Sequence, residues 1–140
     1  MRHSYFGNHL GRSTNGAKAL YRGLTIELFD HGRIETTLAK AKAIIPMVDR
    51  VVSFAKKNSI SARREVTKIL GNEKMLDKIF TEIAPKYSDR HSGFSRIIRL
   101  QERFSDSAQL AILELVEGIT LAPVIEEPKK AVTKKTKKTK

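Results

Sequence analysis

The sequence predicts an α/β-class domain of the α+β type that ends in a β-hairpin, set between a basic N-terminal arm and a Lys-rich tail. Apolar residues recur at spacings of three and four in four successive stretches between residues 15 and 84. Two short runs rich in branched apolar residues, 95–100 and 110–116, flank a cluster of turn formers. Charge is segregated: residues 1–26 carry Arg2, Arg12, Lys18 and Arg22 with no acid, and residues 124–140 carry seven Lys against Glu126 and Glu127. Between them, residues 27–123 hold 16 basic and 13 acidic residues, close to balance. The expected organisation is an arm over 1–12, one globular domain over 13–120 and a disordered tail over 121–140.

In the arm, Gly7 and Gly11 oppose a helix, while His3, Tyr5, Phe6 and His9 are interspersed with Arg2 and Arg12. Flat rings stack on unpaired bases and guanidinium groups reach phosphate, so the arm is expected to contact nucleic acid rather than fray in solvent. Ser13, Thr14 and Asn15 are N-capping types. Behind them Ala17, Leu20, Tyr21, Leu24 and Leu28 predict a helix over 15–30, stopped by His31-Gly32. Lys18 and Arg22 lie four apart and share a face, which either grips phosphates or is simply solvated.

Arg33-Ile34-Glu35-Thr36 has the length and composition of a brief strand. Thr36 or Thr37 caps the next helix, whose stripe of Leu38, Ala41, Ile45, Val48, Val52 and Ala55 reads as core rather than as a cofactor site. Pro46 inside it removes one backbone bond and predicts a kink or a restart. Lys40 and Lys42 stand near that helix's start, where cations gain nothing from the dipole, which hints at an outside partner.

Ser59 or Ser61 opens a helix to Leu70 that carries the basic pair Arg63-Arg64, and Gly71-Asn72 stops it. A further helix over 73–84 places Met75, Leu76, Ile79, Phe80 and Ile83 on one side and ends at Pro85. Residues 86–94 read as a polar loop. Ser95–Leu100 and Leu110–Val116 read as strands joined through Phe104-Ser105-Asp106-Ser107 into an antiparallel hairpin. In the first of them Arg96 and Ile98 share one face and Ile97 and Arg99 the other, so both faces cannot be buried. That strand is expected at a sheet edge or under nucleic acid. From Pro123 onward the chain is too polar to bury a core of its own. It either settles on a polyanion through counterion release or serves only as a solubilising extension.

With 140 residues the chain has room for one hydrophobic core, and its 40% hydrophobic content argues against a wholly disordered polymer. A net charge of +12 points first to a nucleic-acid partner and second to an anionic membrane surface. The absence of cysteine excludes disulfides, thiolate zinc sites and cysteine catalysis. The first residues contain no apolar stretch of signal-peptide length, and no window approaches a membrane span; a soluble, cytoplasmic protein is expected.

Catalysis finds little support. His3, His9, His31 and His91 have no metal-ligand spacing and no carboxylate cluster beside them. Phosphate-binding glycine motifs are missing, and Ser105-Asp106-Ser107 is a turn rather than a triad. The expectation is a protein that is not an enzyme, with no cofactor, no metal and no small-molecule substrate. A nucleoid or regulatory protein is an alternative, because short helices around 60–84 allow a helix-turn-helix, although Arg63 and Arg64 alone make a thin recognition surface. A membrane-surface protein is a weaker one, since no basic amphipathic helix adjoins the tail.

The residues also carry a resemblance. It begins with Met1-Arg2-His3 and runs through Leu10, Gly11-Arg12, Ala19-Leu20, Arg22 and Leu24. It is densest from His31 to Lys42 (HGRIETTLAKAK), and resumes at Ala62-Arg63-Arg64, Lys78-Ile79-Phe80, 84–90 and 93–97 before closing over 108–116. Over these stretches the chain resembles the L-seventeen family of bacterial large-subunit ribosomal proteins. The resemblance implies helices on a small mixed three-stranded sheet whose last two strands form the hairpin. It further implies a structural role in translation: binding and bracing 23S ribosomal RNA toward the outlet of the nascent-chain tunnel, beside neighbouring large-subunit proteins. On that footing Arg2, His3, His9 and Arg12 are expected to thread into RNA. Lys18, Arg22, Lys40, Lys42, Arg63, Arg64, Arg90, Arg96 and Arg99 are expected to meet backbone phosphates, which give position rather than sequence reading.

The chain departs from the family pattern at several places. Ser4, Tyr5, Asn8 and Gly16 stand where basic residues are usual, and Gly23 stands where Asn is usual. Ser92-Gly93-Phe94 replaces a Gly-Gly-Tyr, and Phe104-Ser105-Asp106 replaces a Gly-Asp turn. Tyr5 and Phe6 offer stacking in place of charge.

Overall fold

The computed structural model describes Asn8 and residues 10–117. The expectations for residues 1–7, for His9 and for the tail from 118 onward lie outside the described residues.

Helix α1 spans Thr14–His31. The Ser13 hydroxyl accepts the Gly16 N–H at 3.3 Å, satisfying one of the donors that a helix start leaves open. Gly32 ends it at φ 73°, a left-handed conformation that only glycine adopts freely, with its N–H on the Leu28 carbonyl at 2.7 Å. Strand β1 follows over Arg33–Thr37 and helix α2 over Leu38–Lys57. Thr37 sits at the cap position of α2 but makes no side-chain cap bond. The helix runs through Pro46 without interruption. Its buried face is Ala41, Ile44, Val48, Val51, Val52 and Ala55; Leu38 and Ile45 of the predicted stripe pack half-buried against this core, and Ile44 and Val51 join it.

Helix α3, Ile60–Leu70, starts on a Ser59 hydroxyl that accepts the Ala62 N–H, and ends at Gly71 with φ 66°. Helix α4 is shorter than the sequence predicts, Glu73–Lys78. The chain then widens into a π turn over Ile79–Ile83 and tightens into a 3-10 turn over Ala84–Tyr87. Pro85 has no N–H for the Thr81 carbonyl, and the widened turn sends the Ala84 N–H back to Ile79 instead. The consequence is that Ile79, Phe80, Ile83, Ala84 and Tyr87 all reach the core. Tyr87 and Phe94, assigned by sequence to a polar loop, are buried and meet edge to face with centroids 5.3 Å apart.

Strands β2, Ser95–Glu102, and β3, Gln109–Leu115, form the hairpin, and the sheet order is β1-β3-β2. The α+β fold and the hairpin stand as the sequence predicts, except that the sheet is antiparallel throughout rather than mixed. β1 and β2 run in the same direction, but β3 inserts between them and no parallel pair forms. One sheet face packs on the helices through Ala111, Leu113 and Leu115, together with Ile34 and Ile97. Nothing among the described residues covers the other. Two backbone bonds lock the sheet to its surroundings: Leu115 N–H to the Gly32 carbonyl (2.9 Å) and Val116 N–H to the Phe94 carbonyl (3.0 Å).

Candidate nucleic-acid interface

Helices α1, α2 and α3 together carry ten Lys and Arg against Glu27, Asp30, Asp49 and Glu65. The hairpin from Ser95 to Leu115 carries Arg96, Arg99 and Arg103 against Glu102, Asp106 and Glu114, and is neutral. Polyanion attraction therefore concentrates on the helical side.

There α1 and α2 enclose a groove of about 380 Å³. Tyr21, Ala43, Pro46, Met47 and Ile69 form an apolar floor, and Lys18, Arg22 and Arg50 supply the charge. No carboxylate lines it. Lys18 and Arg22 converge here because they are one helical turn apart on α1. Arg22 is positioned by the protein itself: its Nε donates to the Ile69 carbonyl (2.8 Å) and its Nη2 to the Lys68 carbonyl (3.1 Å). These are carbonyls at the end of α3, where a cation meets the negative pole of the helix. Nη1 makes no hydrogen bond among the described residues. The arm starts beside this groove, because the Tyr21 hydroxyl donates to the Asn8 carbonyl. Asn8 also borders a second cavity of about 560 Å³, lined by Thr37, Leu38, Ala39, Lys42, Ala108 and Gln109.

Arg50 belongs to this constellation and is absent from the sequence-derived set. Its signal was present: Lys42, Pro46 and Arg50 succeed one another at four-residue steps on α2. The remaining expected contacts are scattered. Arg12 donates to the Leu10 carbonyl at 3.3 Å. Arg64 and Arg99 are exposed and Lys40 is half-buried. Arg63 lies over the Phe80 ring at 4.6 Å and 3.8 Å from Asp77. Arg90 reaches the Gly93 carbonyl (3.4 Å) and Glu117 (3.6 Å). Arg96 pairs with Glu114 on the open sheet face. Arg63, Arg90 and Arg96 thus already hold acids of their own chain, and Arg2, His3 and His9 lie outside the described residues.

Among the described residues no cluster of His, Asp or Glu could hold a metal ion, and no helix is long and apolar enough to cross a membrane.

Comparison with known proteins adds a lineage to this geometry. Residues 20–116 match the family described as Ribosomal protein L17. A large ribosomal subunit protein bL17 of Thermodesulfovibrio yellowstonii is 47% identical over 117 residues, covering 84% of this chain and 88% of the relative. The bL17 of Fusobacterium nucleatum is 42% identical over 83% of this chain and 100% of its own length. That of Geotalea daltonii is 38% identical over 96% of this chain and 74% of its own.

Proposed function

The chain belongs to the ribosomal protein L17 family, and from that premise we propose that it binds and braces 23S ribosomal RNA near the nascent-chain tunnel outlet. As a family member it is a structural constituent of the large ribosomal subunit that serves translation, not an enzyme. Its partners in this reading are 23S RNA and neighbouring subunit proteins, and its place is the ribosome of the cytoplasm.

The observation that carries RNA contact is the groove between α1 and α2. Three cations with no opposing carboxylate surround an apolar floor at the root of a basic arm. Phosphates meet Lys18, Arg22 and Arg50, and a base that leaves its stack finds Tyr21 and Met47. Lys40, Lys42, Arg64 and Arg99 add peripheral phosphate contacts. Arg63, Arg90 and Arg96 contribute less, since each must share its charge with an acid. The arm over 1–12, with Arg2, His3, His9 and Arg12, extends the contact away from the domain over 13–120.

The test is binding of the full chain to 23S RNA across a salt series. The logarithm of affinity should fall linearly with the logarithm of salt concentration. The double variant Lys18→Ala/Arg50→Ala should lower that slope by roughly 0.7–0.9 for each phosphate that is no longer neutralised. A slope equal to that of the unaltered chain would remove the groove from the interface. Comigration with the large subunit on a sucrose gradient, at low and high salt, checks residence in the particle.

A further inference from the structure

The groove between α1 and α2 has a floor that phosphate binding does not call for. A paired backbone needs cations, and a flat surface supplies those as well as a hollow does. The hollow here holds about 380 Å³, inside the range of about 300–1,000 Å³ typical of clefts that enclose a small ligand. Below its three cations lie only apolar side chains and the Tyr21 ring.

One residue of that floor works against its own helix. Pro46 stands inside the 20 residues of α2, where it has no N–H to give the Lys42 carbonyl one turn back. A helix interior tolerates no residue less well. The core does not require it, since Pro46 is exposed while Ile44 and Val48 are buried. Its ring lies in the groove beside the half-buried Met47. A pyrrolidine ring is rigid and apolar, so it can pack on a flat base with no rotamer freedom to lose. One cation at the rim is preset as well. Arg22 commits Nε and Nη2 to the Ile69 and Lys68 carbonyls, which leaves Nη1, beside Gly71, for a ligand. A guanidinium fixed in this way loses little freedom when it meets a phosphate. Lys18 and Arg50 stand exposed around it. A rigid apolar seat edged by a fixed guanidinium matches a flat ring joined to a phosphate.

We infer that this groove seats one unpaired ribonucleotide of 23S RNA, with the base on Pro46, Met47 and Tyr21 and the phosphate on Arg22, flanked by Lys18 and Arg50. The inference rests on the RNA-binding reading of the same groove and names its ligand: a nucleotide turned out of its stack, not paired backbone.

The first test is an amide NMR titration of the full chain with adenosine 5′-monophosphate, ribose 5-phosphate and adenosine in turn. The monophosphate should shift the signals of Lys18, Tyr21, Arg22, Met47 and Arg50. Ribose 5-phosphate, which lacks the base, should bind about tenfold more weakly, as the loss of one stacked base does. Adenosine, which lacks the phosphate, should also bind more weakly. Ribose 5-phosphate as tight as the monophosphate would reveal a plain anion site, and unmoved signals at these residues would deny the groove a nucleotide. Either result overturns the inference and leaves RNA binding standing. The second test is affinity for 23S RNA across a salt series. Met47→Ser and Pro46→Ser remove apolar surface and leave charge alone, so each should weaken binding about fivefold while the salt slope stays unchanged. Pro46→Ser returns an N–H to α2 at an exposed position, so it keeps the fold even where Met47→Ser loosens packing. Unaltered affinity in Pro46→Ser would take the base off this floor. Failure of the unaltered chain to bind 23S RNA would remove both readings.

Discussion

The Tyr87 hydroxyl shows how one side chain can close the core. It donates to the Phe94 carbonyl (3.2 Å) and accepts the Glu117 N–H (3.2 Å), bridging the end of the helical layer to the segment after β3. Burial pushes the phenol above its ordinary value of 10.0, since the phenolate would lose hydration there. The folded state therefore favours the neutral phenol. Its contribution is fully present below pH 10 and is lost as pH rises through the raised value. Tyr87→Phe should cost roughly 1 kcal/mol at neutral pH, because the half-buried Glu117 N–H loses its acceptor. In urea unfolding, the gap between the two proteins should narrow as pH climbs past 10. A gap that is small at neutral pH would mean that water replaces the hydroxyl.

Sequence reading and structure part company at this same residue. Tyr87 and Phe94 sit among Lys86, Ser88, Asp89, Arg90, His91 and Ser92, and local composition marks a loop. Nothing in that stretch announces that a π turn after α4 rotates Tyr87 inward onto Phe94. At the groove the same limit applies in milder form. Lys18 and Arg22 share a face by spacing alone, but that Arg50 stands opposite them depends on how α1 crosses α2.

At the scale of elements, caps and turns did most of the specifying. Ser13, Gly32, Ser59 and Gly71 bound α1 and α3 where the sequence predicts, because each satisfies or releases backbone groups through its own chemistry. The hairpin turn is likewise local. The Arg103 guanidinium and the Ala108 N–H hold the Asp106 carboxyl down to about 2. A depressed carboxyl supports the turn above its ordinary 3.8, and that support disappears as pH falls through about 2. Carboxyl NMR on the full chain should show Asp106 titrating near 2, and Arg103→Ala should move it back toward 3.8. Global stability should hardly change, because the pair is solvent-exposed. A midpoint near 3.8 in the unaltered protein would show a loose turn.

Among the described residues the molecule is electrically two-sided: a basic helical side and a neutral sheet side. If the arm and groove form one contact, removing residues 1–12 should impair incorporation into subunits more than removing residues 124–140. Competition between each truncated chain and the full chain during subunit reconstitution reads the difference. A worse defect from the tail deletion would transfer the main contact to the C-terminal lysines.

What the sequence by itself determined is the set of local decisions. The α+β class, the ends of α1 and α3, the hairpin and the surplus of positive charge all follow from spacing, capping chemistry and composition, which act over a few residues. The family resemblance was carried by the same contiguous stretches. Tertiary structure alone decided the order β1-β3-β2, which makes every pairing antiparallel, and the inward turn of Tyr87. It also decided which cations stay available. Arg63, Arg90 and Arg96 look like Lys18 and Arg50 in the sequence, but Asp77, Glu117 and Glu114 reach them across 14, 27 and 18 positions of chain. Whether a charge is free for a partner is a property of distances in space, and residues far apart in sequence set those distances.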